Sequence, residues 1–213
     1  MSNSSVSHPK GLYLLFATEM WERFSYYGNR ALLALFMVSA LAFDKHFTAA
    51  LYGQYTGLVF LTPLIGGYIA DRYWGNRRSI RVGGILMAAG QFMLFFAASV
   101  YSNLPLALPL FYSGLALICL GNGFFKPNIS IMVGQLYRTD DSRKDAAYTI
   151  FYMGINLGSF AAPLICGTLG DTGNPADFRW GFLVAGVGML LSLVIFESLK
   201  SKYLRGPNGE PLG

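Results

Sequence analysis

Residues 12–41 read LYLLFATEMWERFSYYGNRALLALFMVSAL, an apolar run long enough to cross a bilayer yet interrupted by Glu19, Glu22, Arg23 and Arg30. A span needs about 20 apolar residues to cross the hydrocarbon core. Each charge placed at mid-membrane costs about 2.5–3.5 kcal/mol. With Tyr26, the four charges occupy relative positions 0, 3, 4, 7 and 11, so at helical pitch they fall within roughly 100° of one face. Tyr27 lies at the edge of this stripe. Such a face cannot meet lipid; it has to line a protein interior or a watery cavity. Glu19 and Arg23 at i,i+4 would make an internal ladder. Arg30 has no acid within a turn and fits the capture of an anion.

Outward from this segment the pattern repeats. Five further apolar runs, at residues 49–70, 82–100, 106–125, 146–169 and 182–199, make six expected spans. Of 213 residues, 54% are hydrophobic and 13% charged, about half the charged share of a soluble domain. The first run lacks the small-residue cleavage site of a secretory leader and is expected to stay as a mature span. Cys119 and Cys166 both fall inside spans and read as packing residues. The net charge of +5 could suggest nucleic acid, but its placement points to topology. Lys and Arg crowd the segments before span one and after spans two, four and six, whereas the opposite segments hold only Lys45 and Arg179. That asymmetry places both termini in the cytoplasm.

The outer loops are short and turn-like, and residues 138–145 form the longest charged run, expected as an amphipathic turn or short helix. Residues 200–213, rich in Gly, Pro and Asn, have linker composition. Six spans with both termini inside fit two inverted three-helix units. The expected architecture is an all-α membrane bundle over residues 1–199 with a cytoplasmic linker after it.

Three further segments carry polar chemistry. Span four ends in Gly121-Asn122-Gly123-Phe124-Phe125-Lys126-Pro127-Asn128, where Pro127 is expected to break the helical ladder. Lys126 either snorkels to the interface or, because Ile129–Val133 stays apolar, sits deeper. Span five sets Tyr148, Tyr152, Asn156 and Ser159 at helical spacing, with Gly154 and Gly158 as a close-packing pair. Asn156 serves either as interhelical glue or as a ligand contact. The segment from Gly66 to Arg78 mixes Asp71 with Arg72, Arg77 and Arg78, either a charge latch between helices or a topology signal. No metal-ligand spacing, phosphate loop or catalytic triad is visible, so catalysis, a cofactor and a nucleic-acid partner are not expected.

The string from Glu19 to Gly28 resembles the ExxERFxYYG motif of the proton-dependent oligopeptide transporter family within the major facilitator superfamily. Phe151 to Ser159 resembles its FYxxINxG motif, and Gly121 to Asn128 its GxGxxKPN segment. Gly66 to Arg78 is similar to the wider superfamily's loop between helices two and three. The resemblance implies an alternating-access symporter of di- and tripeptides driven by protons, in the plasma membrane (the inner membrane of a bacterium). It assigns Arg30 and Lys126 to the peptide carboxylate, with Tyr26 and Tyr27 beside it and Asn156 on the peptide backbone. Glu19, Glu22 and Arg23 would couple protons, with Glu22 able to pair with Lys126. Phe60 stands where many members carry a ligand-touching Tyr, and Gly53 where animal members carry a His, so coupling is expected to rest on carboxylates. Members have two six-helix bundles; the sequence covers the first, and its natural partner would be the second. Three alternatives remain: a carrier of another small anion, a homodimeric half-transporter, and an isolated domain that moves nothing.

Overall fold

The computed structural model describes residues 7–213; residues 1–6 of the expected bundle lie outside the described residues. The chain forms six long helices: α1 (Lys10–Ser39), α2 (Lys45–Ile69), α3 (Asn76–Ser99), α4 (Leu104–Gln135), α5 (Lys144–Gly170) and α6 (Phe178–Tyr203). α3, α4, α5 and the α6 segment are long and apolar enough to cross a membrane. α1 and α2 are as long but carry the charged stripe and a run of Tyr, Thr and Gln. Membrane-facing composition thus weakens where a helix turns polar side chains inward.

The helices outrun the expected spans, α3 by six residues at its start and α6 by four at each end, and two differences bear on the site. α4 runs ten residues beyond Phe125, straight through Pro127. A proline inside a membrane helix is tolerated when nearby groups re-satisfy the backbone. Beside Pro127, side chains add bonds to neighbouring carbonyls: Asn128 Nδ2 donates to that of Phe124 at 2.6 Å and Ser130 Oγ to that of Lys126 at 3.2 Å. Lys126 therefore sits about 14 Å from the α4 C-terminus at 1.5 Å per residue, inside the helix rather than at its end. The second difference is residues 204–213. They fold back as a small hairpin, with Leu204 and Leu212 buried and Leu212 N–H bonded to the Leu204 carbonyl at 3.1 Å. Arg77 Nη2 holds that same carbonyl at 2.6 Å.

α1 packs on α5 and α6, α4 packs on α3 and α2, and α3 packs on α6. α2 and α5 make no extended contact, which leaves the bundle open between them. Without a hydrophobic drive between helices in lipid, close packing depends on small residues. A Cβ on Gly83 would lie 2.5 Å from the Gly121 carbonyl oxygen and 2.7 Å from Phe125 N. Gly66 likewise meets the Gly123 backbone and Gly158 that of Met20, with no room for a side chain.

Two apolar clusters fill the bundle. One, around Leu32, Phe36, Phe111 and Phe182, lies toward the loops joining α1 to α2, α3 to α4 and α5 to α6. The other, around Leu12, Phe125, Met132 and Phe196, lies toward the termini. Between them runs a buried polar layer that includes Glu19, Glu22, Arg23, Ser25, Gln91 and Asn122.

At the terminal side residues 138–143 form turns and α5 begins at Lys144. Arg143 chelates Asp141 through Nε at 3.0 Å and Nη2 at 2.6 Å, which holds the Asp141 carboxyl down at about 2. A depressed carboxyl contributes fully above its unfolded value and loses its effect only as pH falls through about 2. This loop is therefore expected to keep its form from pH 4 to 9, checked by unchanged proteolysis between Arg138 and Lys144 across that range.

Gly83→Ala forces α3 from α4 and is expected to destabilise the bundle by about 1–3 kcal/mol, the usual cost of overpacking. Gly167→Ala, with nothing within 4 Å of its Cβ position, is expected to leave the melting temperature in detergent unchanged or higher.

Candidate functional site

The polar stripe of α1 is sealed at its centre. Glu19, Glu22 and Arg23 are 1%, 0% and 4% exposed, so their charges have to be balanced by one another. Arg23 Nη2 donates to Glu22 Oε1 at 2.8 Å, its Nε also reaches Glu22 Oε2, and Nε lies 3.1 Å from Glu19 Oε1. One cation is thus shared by two carboxylates. Glu19 Oε2 is buried with no hydrogen-bond partner among the described residues. A carboxylate oxygen left so is costly, and a proton on either acid relieves the imbalance. The Arg23 guanidinium also lies over the Tyr26 ring, 5.2 Å from its centre.

Around this core the walls lock α1 in rotation. Gln91 Nε2 of α3 donates to the Ser25 carbonyl and hydroxyl, both at 3.2 Å. Ser192 Oγ of α6 donates to the Thr18 carbonyl at 2.6 Å. Asn29 Nδ2 donates to Tyr55 Oη of α2 at 3.3 Å. These contacts leave the charged face pointing toward the open side.

Two cations border the opening. Arg30 is half-buried; its Nε donates to Tyr52 Oη at 2.6 Å, and its guanidinium lies 5.7 Å from the Tyr52 ring centre. Lys126 is half-buried on α4 with its Nζ 5.4 Å from the Phe60 ring centre. Glu19, Glu22 and Arg23 lie within electrostatic reach of Lys126. Neither Arg30 nor Lys126 has an acidic partner within 4 Å among the described residues. The expected Glu22–Lys126 pair is thus absent in this state: Glu22 is taken by Arg23.

The remaining expected residues divide between floor and wall. Tyr26 is buried and Tyr27 half-buried, their rings meeting edge to face at 5.3 Å. Phe60 of α2, 64% exposed, and Asn156 of α5, also exposed, stand on the two lips of the opening. Asn156 makes no side-chain hydrogen bond among the described residues, so it does not glue helices here. The expected latch does not form at Asp71, which is exposed. Glu197 instead gathers Arg81 and Lys200 at 2.8 and 2.6 Å.

Sequence reading overlooked Tyr52, Tyr55 and Asn122. The two tyrosines stand with Gln54 and Thr56 in a polar run within an expected span, a signal that was available. Asn122 is fully buried with both amide atoms unpartnered, one turn from Lys126 on the same helix face.

A family model described as the POT family matches residues 77–210. The chain belongs to the POT family. It is 43% identical over 202 residues to a transporter of Bacillus subtilis named YclF, covering 92% of this chain and 39% of that protein. It is 44% identical to the peptide transporter YePEPT of Yersinia enterocolitica over 89% of this chain and 36% of that one. The di-/tripeptide transporter of Lactococcus lactis is 43% identical, over 88% and 37% of the two chains. A crystal structure of a POT peptide transporter with alafosfalin superposes with a TM-score of 0.86 at 43% identity, covering 97% of this chain and 41% of that one. The chain therefore spans less than half the length of its POT relatives. The family is one of transporters, not enzymes.

Arg23→Ala should leave two carboxylates buried without a cation and destabilise the bundle by about 3–5 kcal/mol. Glu19→Gln, which keeps the Arg23–Glu22 pair, is expected to cost far less. Thermal unfolding of both variants in detergent checks the order.

Proposed function

We propose that this chain is the N-terminal half of a proton-coupled symporter of di- and tripeptides that works by alternating access. One observation carries the reading: two half-buried cations, Arg30 and Lys126, face the open side with no acid of their own, beside a sealed Glu19–Arg23–Glu22 cluster. Buried or half-buried cations without partners suit an anionic ligand. Relatives of the POT family crystallised with sulfate and with 5-aminolevulinic acid, ligands that carry anionic groups, support this choice.

In this account Arg30 and Lys126 hold the peptide carboxylate, and Tyr26 and Tyr27 pack beside it. Asn156 reaches the peptide backbone from α5, and the Phe60 ring steadies Lys126 from α2. Without the hydroxyl of a tyrosine at position 60, Lys126 is held by its cation–π contact alone, worth about 0.5–2 kcal/mol. Proton coupling rests on Glu19, Glu22 and Arg23. When Glu22 is ionised it holds Arg23 and its negative charge opposes a peptide carboxylate at the nearby Lys126; when it is protonated, Arg23 turns to Glu19 and that opposition is removed. Proton and peptide then favour the same state, and their affinities are reciprocally coupled. No metal or organic cofactor enters; the coupling ion is the proton.

The reading extends to architecture. Exchanging α1–α3 with α4–α6 maps the α1·α5 contact onto α4·α2 and α1·α6 onto α4·α3, as a three-plus-three inverted repeat requires. The Lys and Arg asymmetry supports a plasma-membrane bundle over residues 1–199 with both termini cytoplasmic. Leu64 and Phe160, 73% and 71% exposed on α2 and α5, make an apolar rim beside the opening. Such a rim asks for a cover, and a second six-helix bundle fits it.

The test is uptake of labelled alanyl-alanine into liposomes under an inward proton gradient. The chain alone is expected to accumulate none, and the chain joined to the C-terminal half of the Lactococcus lactis relative to accumulate it. Glu22→Gln in the joined protein should abolish gradient-driven uptake and spare peptide exchange. Gradient-driven accumulation by that variant, or none by the folded parent, would contradict the proposal.

A further inference from the structure

The outward face between α3 and α6 carries a groove that the transport reading does not use. Its upper part, about 260 Å³, is lined by Trp74, Arg78, Arg81 and Val82. Its lower part, about 460 Å³, shares Arg81 and continues along Ile85, Leu193, Val194 and Glu197. The two parts differ in chemistry along one direction. At the end near the termini stand Arg78 and Arg81, and Arg81 shares the single acid of the lining, Glu197, with the buried Lys200. A few residues further along both helices the lining is aliphatic, with Ile85 54% and Val194 60% exposed.

The charges do not cancel. Glu197 accepts from Arg81 Nε at 2.8 Å and from Lys200 Nζ at 2.6 and 2.7 Å, so one carboxylate already serves two cations. Arg78 is exposed and makes no ion pair or hydrogen bond among the described residues. Three cations against one acid leave an excess of two positive charges at the head of an apolar trough. Trp74, stacked on Phe124 at 5.1 Å and 21°, fixes an indole at the rim where aromatic belts meet the headgroup level. The face lies away from the α2–α5 opening, since α3 packs on α4 and α6, and α6 on α1 and α3.

We propose that this groove is a binding site for an anionic phospholipid of the cytoplasmic leaflet. The phosphate sits between Arg78 and the free Nη atoms of Arg81, and one acyl chain runs down the trough past Ile85, Leu193 and Val194. The assignment of leaflet rests on the orientation proposed above; the charge and shape of the groove do not. A soluble anion would use the cations and leave the trough empty. A second protein copy would need an acidic, not a basic, complement.

The test uses the chain purified in mild detergent with phosphatidylglycerol or phosphatidylcholine, read by native mass spectrometry and thermal unfolding. Phosphatidylglycerol is expected to stay bound and raise the melting temperature, and phosphatidylcholine to do neither. Arg78→Gln, which breaks no contact in the fold, should weaken phosphatidylglycerol retention about fivefold, the factor for one basic side chain near an anionic surface. Val194→Trp should fill the trough and lower retention with all cations in place. Arg138→Gln, remote from the groove, should change nothing. Equal retention of the two lipids, or full retention by Arg78→Gln, overturns the proposal. So does equal protection by glycerol phosphate, which marks a soluble-anion site, or a mass shift to dimers, which marks a second copy. Because this readout needs no transport, its failure would leave the symport reading standing, and the reverse.

Discussion

One guanidinium shared by two carboxylates in the middle of α1 is the constraint on which the rest of this bundle depends. Arg23, Glu19 and Glu22 are almost fully out of solvent, and charges so placed survive only if packing seals them. That sealing dictates the neighbours of α1. α5 approaches until Gly158 meets the Met20 backbone, and Gly188 of α6 lies against Phe24. Gln91 and Ser192 fasten two backbone carbonyls next to the stripe, those of Ser25 and Thr18. A helix pinned on three sides turns its fourth toward the gap between α2 and α5, where Arg30 and Lys126 border the opening. Stability at the centre and availability at the edge thus share one cause.

The carboxylate pair also makes the cluster responsive. An arginine keeps its charge, so any imbalance has to be met by the acids around it. Glu19 has one oxygen without a partner, and Asn122, one turn from Lys126, has an amide with none. These unsatisfied groups surround the space between α1 and α4 rather than the bundle's outer surface. Polar groups left short of partners at a functional centre are a store of readiness, set against the tight apolar clusters above and below. The centre thus has polar groups available to a proton or a ligand.

Much of this was legible in the letters. Charges at helical spacing inside an apolar run force an inward-facing stripe, and Arg30 stood out for lack of an acid nearby. The extent of α4 was not legible, because Pro127 reads as a helix breaker in water, whereas a helix in a packed membrane bundle continues through it. The hairpin at 204–213 was hidden by linker composition; two leucines eight apart across a Pro-Asn-Gly turn decide it by burial. The helical spacing paired Arg23 with Glu19, and the family resemblance allowed Glu22 to reach Lys126; that Arg23 takes both carboxylates depends on side-chain placement that spacing does not fix. Tyr52 was missed because a tyrosine in a span reads as interface, whereas here it orients a guanidinium.

The account turns on capture of a carboxylate by cations that have no acid of their own. The most direct measurement is competition, in the joined transporter, between labelled alanyl-alanine and either unlabelled alanyl-alanine or its C-terminal amide. If Arg30 and Lys126 hold the carboxylate, the free dipeptide displaces the label and the amide does not. Equal displacement by the amide would mean that these two cations serve something other than the peptide's charged end.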